Sequence, residues 1–466
     1  MVLIGSFMAV LDTTIVNVAL PSIAIGTHAA SAALEWVVSG YALAFGLALV
    51  PAGRIGDRFG YKRLFVGGLI VFTLASLGCG LSQNPGELIV ARIVQGLGAG
   101  IYYPAISATI QRRFAGRDRS RAFGLLGGTV GLSTAVGPLI GGVLIELAGK
   151  QDGWRWVFLV NLFIGAVAIP AAIKVLPRRQ QSEEHQLDLV GNLLLAATLL
   201  LLLFPLVEGR TDGWPVWSWL CLAGAFVAAA ALGWWEVRLN RHDGEPIIQT
   251  QLLRHRSFAA GQLLALLYFA GFTSLFFTLS ILWQQGLGRS ALATGLLVVP
   301  FALGSLLSAA NSDKFSTRFG RKVIISGIVA MLIGLAFVLL ALRVGAPQPS
   351  AWLFTAPLAL AGLGNGLVIA PNQDFVLGSV PQREAGTAGG ELITAQRVGA
   401  AIGIAVVGTA LFGSGAGESG SAKVTPSLVH TAQAAIIVNL ALVFAALVCS
   451  LFLPSSLSSD RAEENA

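Results

Sequence analysis

The chain of 466 residues is 55% hydrophobic and only 11% charged, where soluble globular proteins carry about 25% charged residues. Its net charge of +7 does not indicate a nucleic-acid binder, because the basic residues sit in short clusters between apolar runs. Apolar runs of about 20 residues recur from end to end, as in a polytopic α-helical membrane protein and unlike the short alternating segments of a membrane β-barrel.

Apolar runs bounded by charged or Gly/Pro-rich breaks predict fourteen spans. These lie near 2–24, 36–56, 64–82, 87–111, 121–147, 155–176, 187–208, 216–238, 258–284, 291–312, 322–342, 351–378, 386–412 and 431–453. The first, "FMAVLDTTIVNVALPSIA", lacks the basic lead of a signal peptide and reads as a retained helix. Asp12 lies inside it. Burial makes a carboxylate's charge expensive, so an aspartate at this depth can exchange a proton as a cavity turns between solutions. The plainer alternative is a structural Asp hydrogen-bonded to neighbouring Thr or Asn.

The second span closes on "GRIGDRFGYKRLF", Gly53 to Phe65. Gly53 and Gly60 allow close helix approach, Asp57 offers a charge to a neighbour, and Arg58, Lys62 and Arg63 mark the loop as cytoplasmic. In the fourth span Arg92, Gln95, Ala99 and Tyr103 share one helix face. That face is expected to point into the bundle, with Gln95 and Tyr103 as candidate cavity residues; the alternative is an arginine reaching outward to the interface. In the fifth span Gly137-Pro138 bends the helix, and Gly141 and Gly142 permit close packing.

Gln284, at the outer end of the ninth span, is a candidate for the cavity lining. Asp374 ends the twelfth span and reads as an interfacial carboxylate. Glu391 and Arg397 share the thirteenth span, six residues apart, a spacing that does not pair them along one face. Glu391 is the second candidate proton site, and Arg397 a candidate cavity residue. The acids roughly balance Arg92 and Arg397, with a lean towards cationic cargo. Cys79, Cys221 and Cys449 fall in apolar segments and read as packing residues. No metal spacing, nucleotide loop or catalytic constellation occurs. The loop "GSGAGESGSAKVTPSLVH" reads as flexible.

Of the 30 Lys and Arg, 22 fall after even-numbered spans or in the tail. The positive-inside rule then puts both termini in the cytoplasm. "RFGYK" at Arg58 to Lys62 returns as "RFGRK" at Arg318 to Lys322, after the tenth span. The echo divides the chain into a six-helix bundle (1–176), a linker with two extra helices (177–256), a second six-helix bundle (257–456) and a short cytoplasmic tail (457–466). Parallel repeats of this kind are a transporter architecture with substrate held between the halves.

The loop at Gly53 to Phe65 resembles a signature of the major facilitator superfamily, with Tyr61 in place of a usual basic residue. "ARIVQGLGAG" resembles that family's Arg-x-x-Gln-Gly-x-Gly segment. Gly137-Pro138-x-x-Gly141-Gly142 resembles the exporter branch, with Ser133 where a glycine is usual. "LDTTIVNVALPSI", "WRWVFLVNLFIG", "DLVGNLLLAATLL" and "LWQQGLGRSALATGLLVVP" are similar to the fourteen-helix drug:proton antiporters. The resemblance implies an all-α polytopic fold and a conformational-switch loop at 53–63. It also implies proton coupling through Asp12 and Arg92, with Glu391 resembling acidic positions of some members. The expected protein is a proton-coupled exporter of small amphipathic organic compounds such as drugs, working by alternating access. The alternative is a carrier of one metabolite or lipid. It is expected to be no enzyme, to need no cofactor beyond the proton gradient, and to act as a monomer in a bacterial inner membrane.

Overall fold

The computed structural model describes residues 1–114, 116–149, 151–176, 188–209, 213–241, 256–312, 315, 319–378, 380, 385–412 and 426–454. Arg318, the loop at 413–425, the 457–466 tail and residues 177–187, 210–212 and 242–255 of the expected linker lie outside the described residues, as do the side chains of Asp57 and Arg58.

Fourteen helices are long and apolar enough to cross a membrane, and no strand occurs among the described residues. They are α1 (Val2–Thr27), α2 (Ser31–Phe59), α3 (Tyr61–Leu81), α4 (Pro85–Arg113), α5 (Gly116–Ala148), α6 (Gly153–Val175) and α7 (Leu189–Glu208). There follow α8 (Val216–Arg241), α9 (Arg256–Ile281), α10 (Ala291–Ala309), α11 (Arg321–Val344), α12 (Trp352–Gly378), α13 (Ala385–Phe412) and α14 (Pro426–Ser450). A π-helical turn, Leu282–Gly286, continues α9. Consecutive membrane spans must alternate in direction, which puts the loops after even-numbered helices, where the sequence gathers its Lys and Arg, on one side, the basic face.

Local chemistry sets the helix starts. Asn84 Oδ1 accepts from the Glu87 amide at 2.9 Å, and Glu87 Oε2 accepts from the Gln83 amide at 2.8 Å, with Pro85 at the first helical position. The two echoed loops turn alike: Gly60 (φ 92°) joins α2 to α3, and Gly320 (φ 55°) leads into α11. Both backbones lie where a side chain is strained, which explains a glycine at each repeat position.

Helices α1–α6 and α9–α14 form two six-helix bundles of the same plan. In the first, α3 crosses α4 at Gly68 and Gly98; a Cβ on Gly98 would lie 2.6 Å from the Phe72 amide nitrogen. In the second, α11 crosses α12 at Gly327 and Gly364, where a Cβ on Gly364 would lie 2.7 Å from the Met331 nitrogen. Small residues at membrane crossings let backbones approach and gain dispersion contact. The bundles meet along α2–α13 and α5–α10. The inserted α7 lies over the α2–α13 seam, packing Leu199, Leu203 and Val207 with Leu43, Ala401 and Ala405. Beside it, α8 leaves Trp219, Phe226 and Trp234 exposed for lipid.

One helix limit differs from expectation with consequences. The second span is expected from residue 36, whereas α2 begins at Ser31. Glu35 is instead fully buried against α13, where Gly408 has no side chain to obstruct it.

Candidate functional site: a buried ion pair beside the inter-bundle seam

Asp12 sits midway along α1 and is fully buried. Its Oδ2 accepts from Arg92 Nη1 of α4 at 2.5 Å. Its Oδ1 accepts from Gln95 Nε2 at 2.8 Å and from Asn161 Nδ2 of α6 at 3.1 Å. The face of α4 carrying Arg92 and Gln95 thus points into the bundle, and the arginine is buried rather than reaching for the interface.

The guanidinium is equally well held. Its Nε donates to the Val37 carbonyl of α2 at 2.9 Å and its Nη1 also to Gln95 Oε1 at 2.8 Å. The guanidinium carbon lies 4.1 Å from the Tyr41 ring centroid and 5.6 Å from that of Phe158, as cation–π packing requires. Ser76 of α3 completes the network: its hydroxyl accepts from Gln95 at 3.1 Å and Asn161 at 3.2 Å and donates to the Phe158 carbonyl at 2.9 Å. Cys79, expected only to pack, also directs its thiol at Gln95 Oε1, 3.5 Å away.

This arrangement has a chemical consequence. In each of these hydrogen bonds Asp12 accepts, so the site is built around a carboxylate. Loss of either charge leaves the other uncompensated in the interior of the bundle.

The other expected residues disperse around this centre. Tyr103 packs edge-on to Phe45, ring centroids 5.4 Å apart. Arg397 reaches from α13 into the first bundle, 4.2 Å from the Phe45 ring centroid, and donates to Thr13 Oγ1 at 3.4 Å. Gln284, in the π-turn, donates to the Val18 carbonyl of α1 at 2.9 Å and so joins the two halves. Glu391 is buried on α13, but Asp12 and Arg397 do not count it among their partners; Asp374 is exposed. Lys62 donates to the Ile173 and Leu176 carbonyls, at 2.5 and 2.6 Å, closing the end of α6. Arg63 is exposed, and Gly53 has open space where a side chain would point. Among the described residues no cluster of three His, Cys, Asp or Glu side chains is placed to hold a metal.

The Gly-Pro segment of α5 serves two contacts. Gly137 and Gly141 receive Thr14 and Ile15 of α1, while Gly142 faces α10, where a Cβ would lie 2.6 Å from Leu292 Cα. The Pro138 carbonyl in turn lies against Gly295 of α10. Beside this seam a cleft between the halves is lined by Thr14, Asn17, Thr134, Phe276, Ser280 and Thr294.

Four groups in this region were not anticipated: Asn161, Ser76, Tyr41 and Glu35. A single amide inside "WRWVFLVNLFIG" was the available signal for Asn161; the two hydroxyl groups carry none in an apolar run.

The Major Facilitator Superfamily description matches residues 2–404 and, again, 264–464. The chain is 36% identical over 418 residues to the "Probable actinorhodin transporter" of Streptomyces coelicolor, covering 88% of this chain and 72% of that one. It is 32% identical to the methylenomycin A resistance protein of Bacillus subtilis, with 87% of this chain and 85% of that one covered. It is 31% identical to the tetracenomycin C resistance and export protein of Streptomyces glaucescens, covering 87% and 74% respectively. In fold it is similar to an auto-inhibited POT family peptide transporter, with a TM-score of 0.67, 15% identity and coverage of 97% and 94%. It is also similar to the partially occluded, inward-open xylose transporter XylE from Escherichia coli, with a TM-score of 0.62, 12% identity and 95% of each chain covered. The protein is thus a multi-pass membrane transporter of small molecules. It belongs to the major facilitator superfamily.

Proposed function

We propose that the protein is a proton-coupled exporter of small amphipathic organic compounds, working by alternating access with Asp12 as the proton carrier. The observation that carries this is the buried Asp12–Arg92 pair, a titratable group locked by a charge partner inside a moving bundle. The exporters among its relatives support the direction of transport.

In this reading the basic face is cytoplasmic, with both termini, and the membrane is a bacterial inner membrane. The halves touch towards the other face: Gln284 on Val18, Ser280 donating to the Asn17 carbonyl, Glu35 against Gly408 and Gly142 against Leu292. That is the outward-closed state. A proton entering from outside protonates Asp12 and releases Arg92; loss of the proton to the cytoplasm restores the pair as cargo binds. The 53–63 loop acts as the conformational switch, Glu391 is a second carboxyl available to protons, and one chain suffices because it contains both halves. Moving one charge through 100 mV is worth about 2.3 kcal/mol, and a tenfold gradient about 1.4 kcal/mol. One proton at that potential sustains roughly forty-fold accumulation.

The test is reconstitution of wild type and Asp12→Asn in vesicles with an imposed pH gradient. Proton movement should follow addition of amphipathic aromatic dyes in the wild type and vanish in the variant. Equal exchange by both proteins would remove Asp12 from the coupling path.

A further inference from the structure

The two intramembrane arginines are in opposite situations. Arg92 is fully buried, faces Asp12 and donates to a carboxylate, an amide and a carbonyl. Arg397, near the middle of α13, is half-buried, and among the described residues its hydrogen bond is the 3.4 Å contact to Thr13 Oγ1. Its guanidinium also packs on the Phe45 ring. Among the described residues no carboxylate forms an ion pair with it. Asp12 is adjacent to Thr13 in sequence but is occupied by Arg92, Gln95 and Asn161.

A guanidinium at membrane depth is costly unless it meets a countercharge or borders a water-filled cavity. Arg397 sits on the seam: it belongs to the second bundle, contacts α1 and α2 of the first, and fits because Gly46 has no side chain, a Cβ there falling 3.2 Å from Arg397 Cβ. Asn17, one turn above Thr13 on the same face of α1 and bonded to its carbonyl at 3.3 Å, lines the inter-half cleft. The rest of that lining is hydroxyl, aliphatic and aromatic, with no acid to receive a cation. Phe276 there extends into rings along α9 and α10: its centroid lies 5.0 Å from that of Phe301 and 5.3 Å from that of Phe272.

We propose that Arg397 recognises a negative charge on the cargo, so that the preferred substrate class is amphipathic aromatic anions bearing a carboxylate, sulfonate or acidic phenol. This rests on the exporter reading and reverses the lean towards cations drawn from the balance of charges in the sequence. The planar guanidinium gives an anionic oxygen two parallel donors, and the phenylalanines take the ring system. An anion leaving as a proton enters moves two charges per cycle, so potential alone drives export, whereas one-for-one exchange of a cation is electrically silent.

The test uses the full chain in vesicles with 8-anilinonaphthalene-1-sulfonate as the anionic probe and ethidium as the cationic one. The wild type should export the sulfonate in preference to ethidium, and faster under a potential negative on the basic face at equal pH. Arg397→Gln should lower sulfonate export by about tenfold or more and abolish the preference for the sulfonate over ethidium; Arg397→Lys should restore much of it. Ethidium carried in preference to the sulfonate, or an anion-to-cation ratio unchanged in Arg397→Gln, overturns the proposal. Asp12→Asn is assayed with whichever probe the wild type carries. Loss of linked proton movement there upholds the exporter reading even when the anion preference fails.

Discussion

At the centre of the first bundle a carboxylate meets a guanidinium; in the second, a serine meets an asparagine. Both sets of contacts join the first helix of a half to its sixth: Asp12 to Asn161 at 3.1 Å, and Ser274 to Asn439 at 2.6 Å. The second bundle adds Tyr268 to Asn365 at 3.0 Å and Asn365 to Ser305 at 2.8 Å, again without charge. The frames match while the interiors differ. The small-residue crossings Gly68–Gly98 and Gly327–Gly364 are a condition for either bundle to pack. Among the described residues the buried Asp–Arg ion pair lies in the first bundle. A neutral hydrogen bond can be kept through a whole cycle; a buried ion pair makes the packing depend on protonation.

The largest effect should come from breaking the pair on one side. Arg92→Met strands a carboxylate and should lower stability in nanodiscs by about 3–5 kcal/mol. Adding Asp12→Asn should recover much of that loss without restoring transport. Equal thermal unfolding of the single and double variants would show that the two charges do not act as a unit.

Next come the shared crossings. Gly98→Leu and Gly364→Leu should each cost about 1–3 kcal/mol or more through overpacking, by similar amounts in the two halves. A severe effect in one half alone would mean that the frames are not equivalent. Asn439→Ala should cost about 1 kcal/mol and leave proton-linked exchange in place, whereas Asn161→Ala should alter the exchange itself. Smallest are the helix-end contacts. Lys62→Met and Arg321→Met each remove a cation from terminal carbonyls, of α6 in one half and at Leu451 and Leu453 after α14 in the other. Each should lower stability by about 0.3–1 kcal/mol.

Much of this contrast was legible in the sequence. Asp12 stood out as a lone charge in an apolar run, and the spacing of Arg92 and Gln95 put them on one face of α4. Their meeting was not legible: Asp12 and Arg92 are 80 residues apart, and periodicity within a helix does not say which helices adjoin. Asn161 was hidden because a neutral amide adds no charge to an apolar run. Glu35 falls just outside the expected 36–56 span, and the space that Gly408 leaves for it on α13 is a tertiary feature. Arg397 was visible as an intramembrane charge, but only the packing shows that, among the described residues, no acid pairs with it as Asp12 pairs with Arg92.

The central claim is that Asp12 is the proton carrier. Infrared difference spectroscopy of the reconstituted protein, comparing low and high pH with a transported probe present, observes that proton directly. A carboxylic-acid C=O band should appear on acidification in the wild type and be missing in Asp12→Asn. An unchanged band in Asp12→Asn would contradict it and place the proton on another carboxyl.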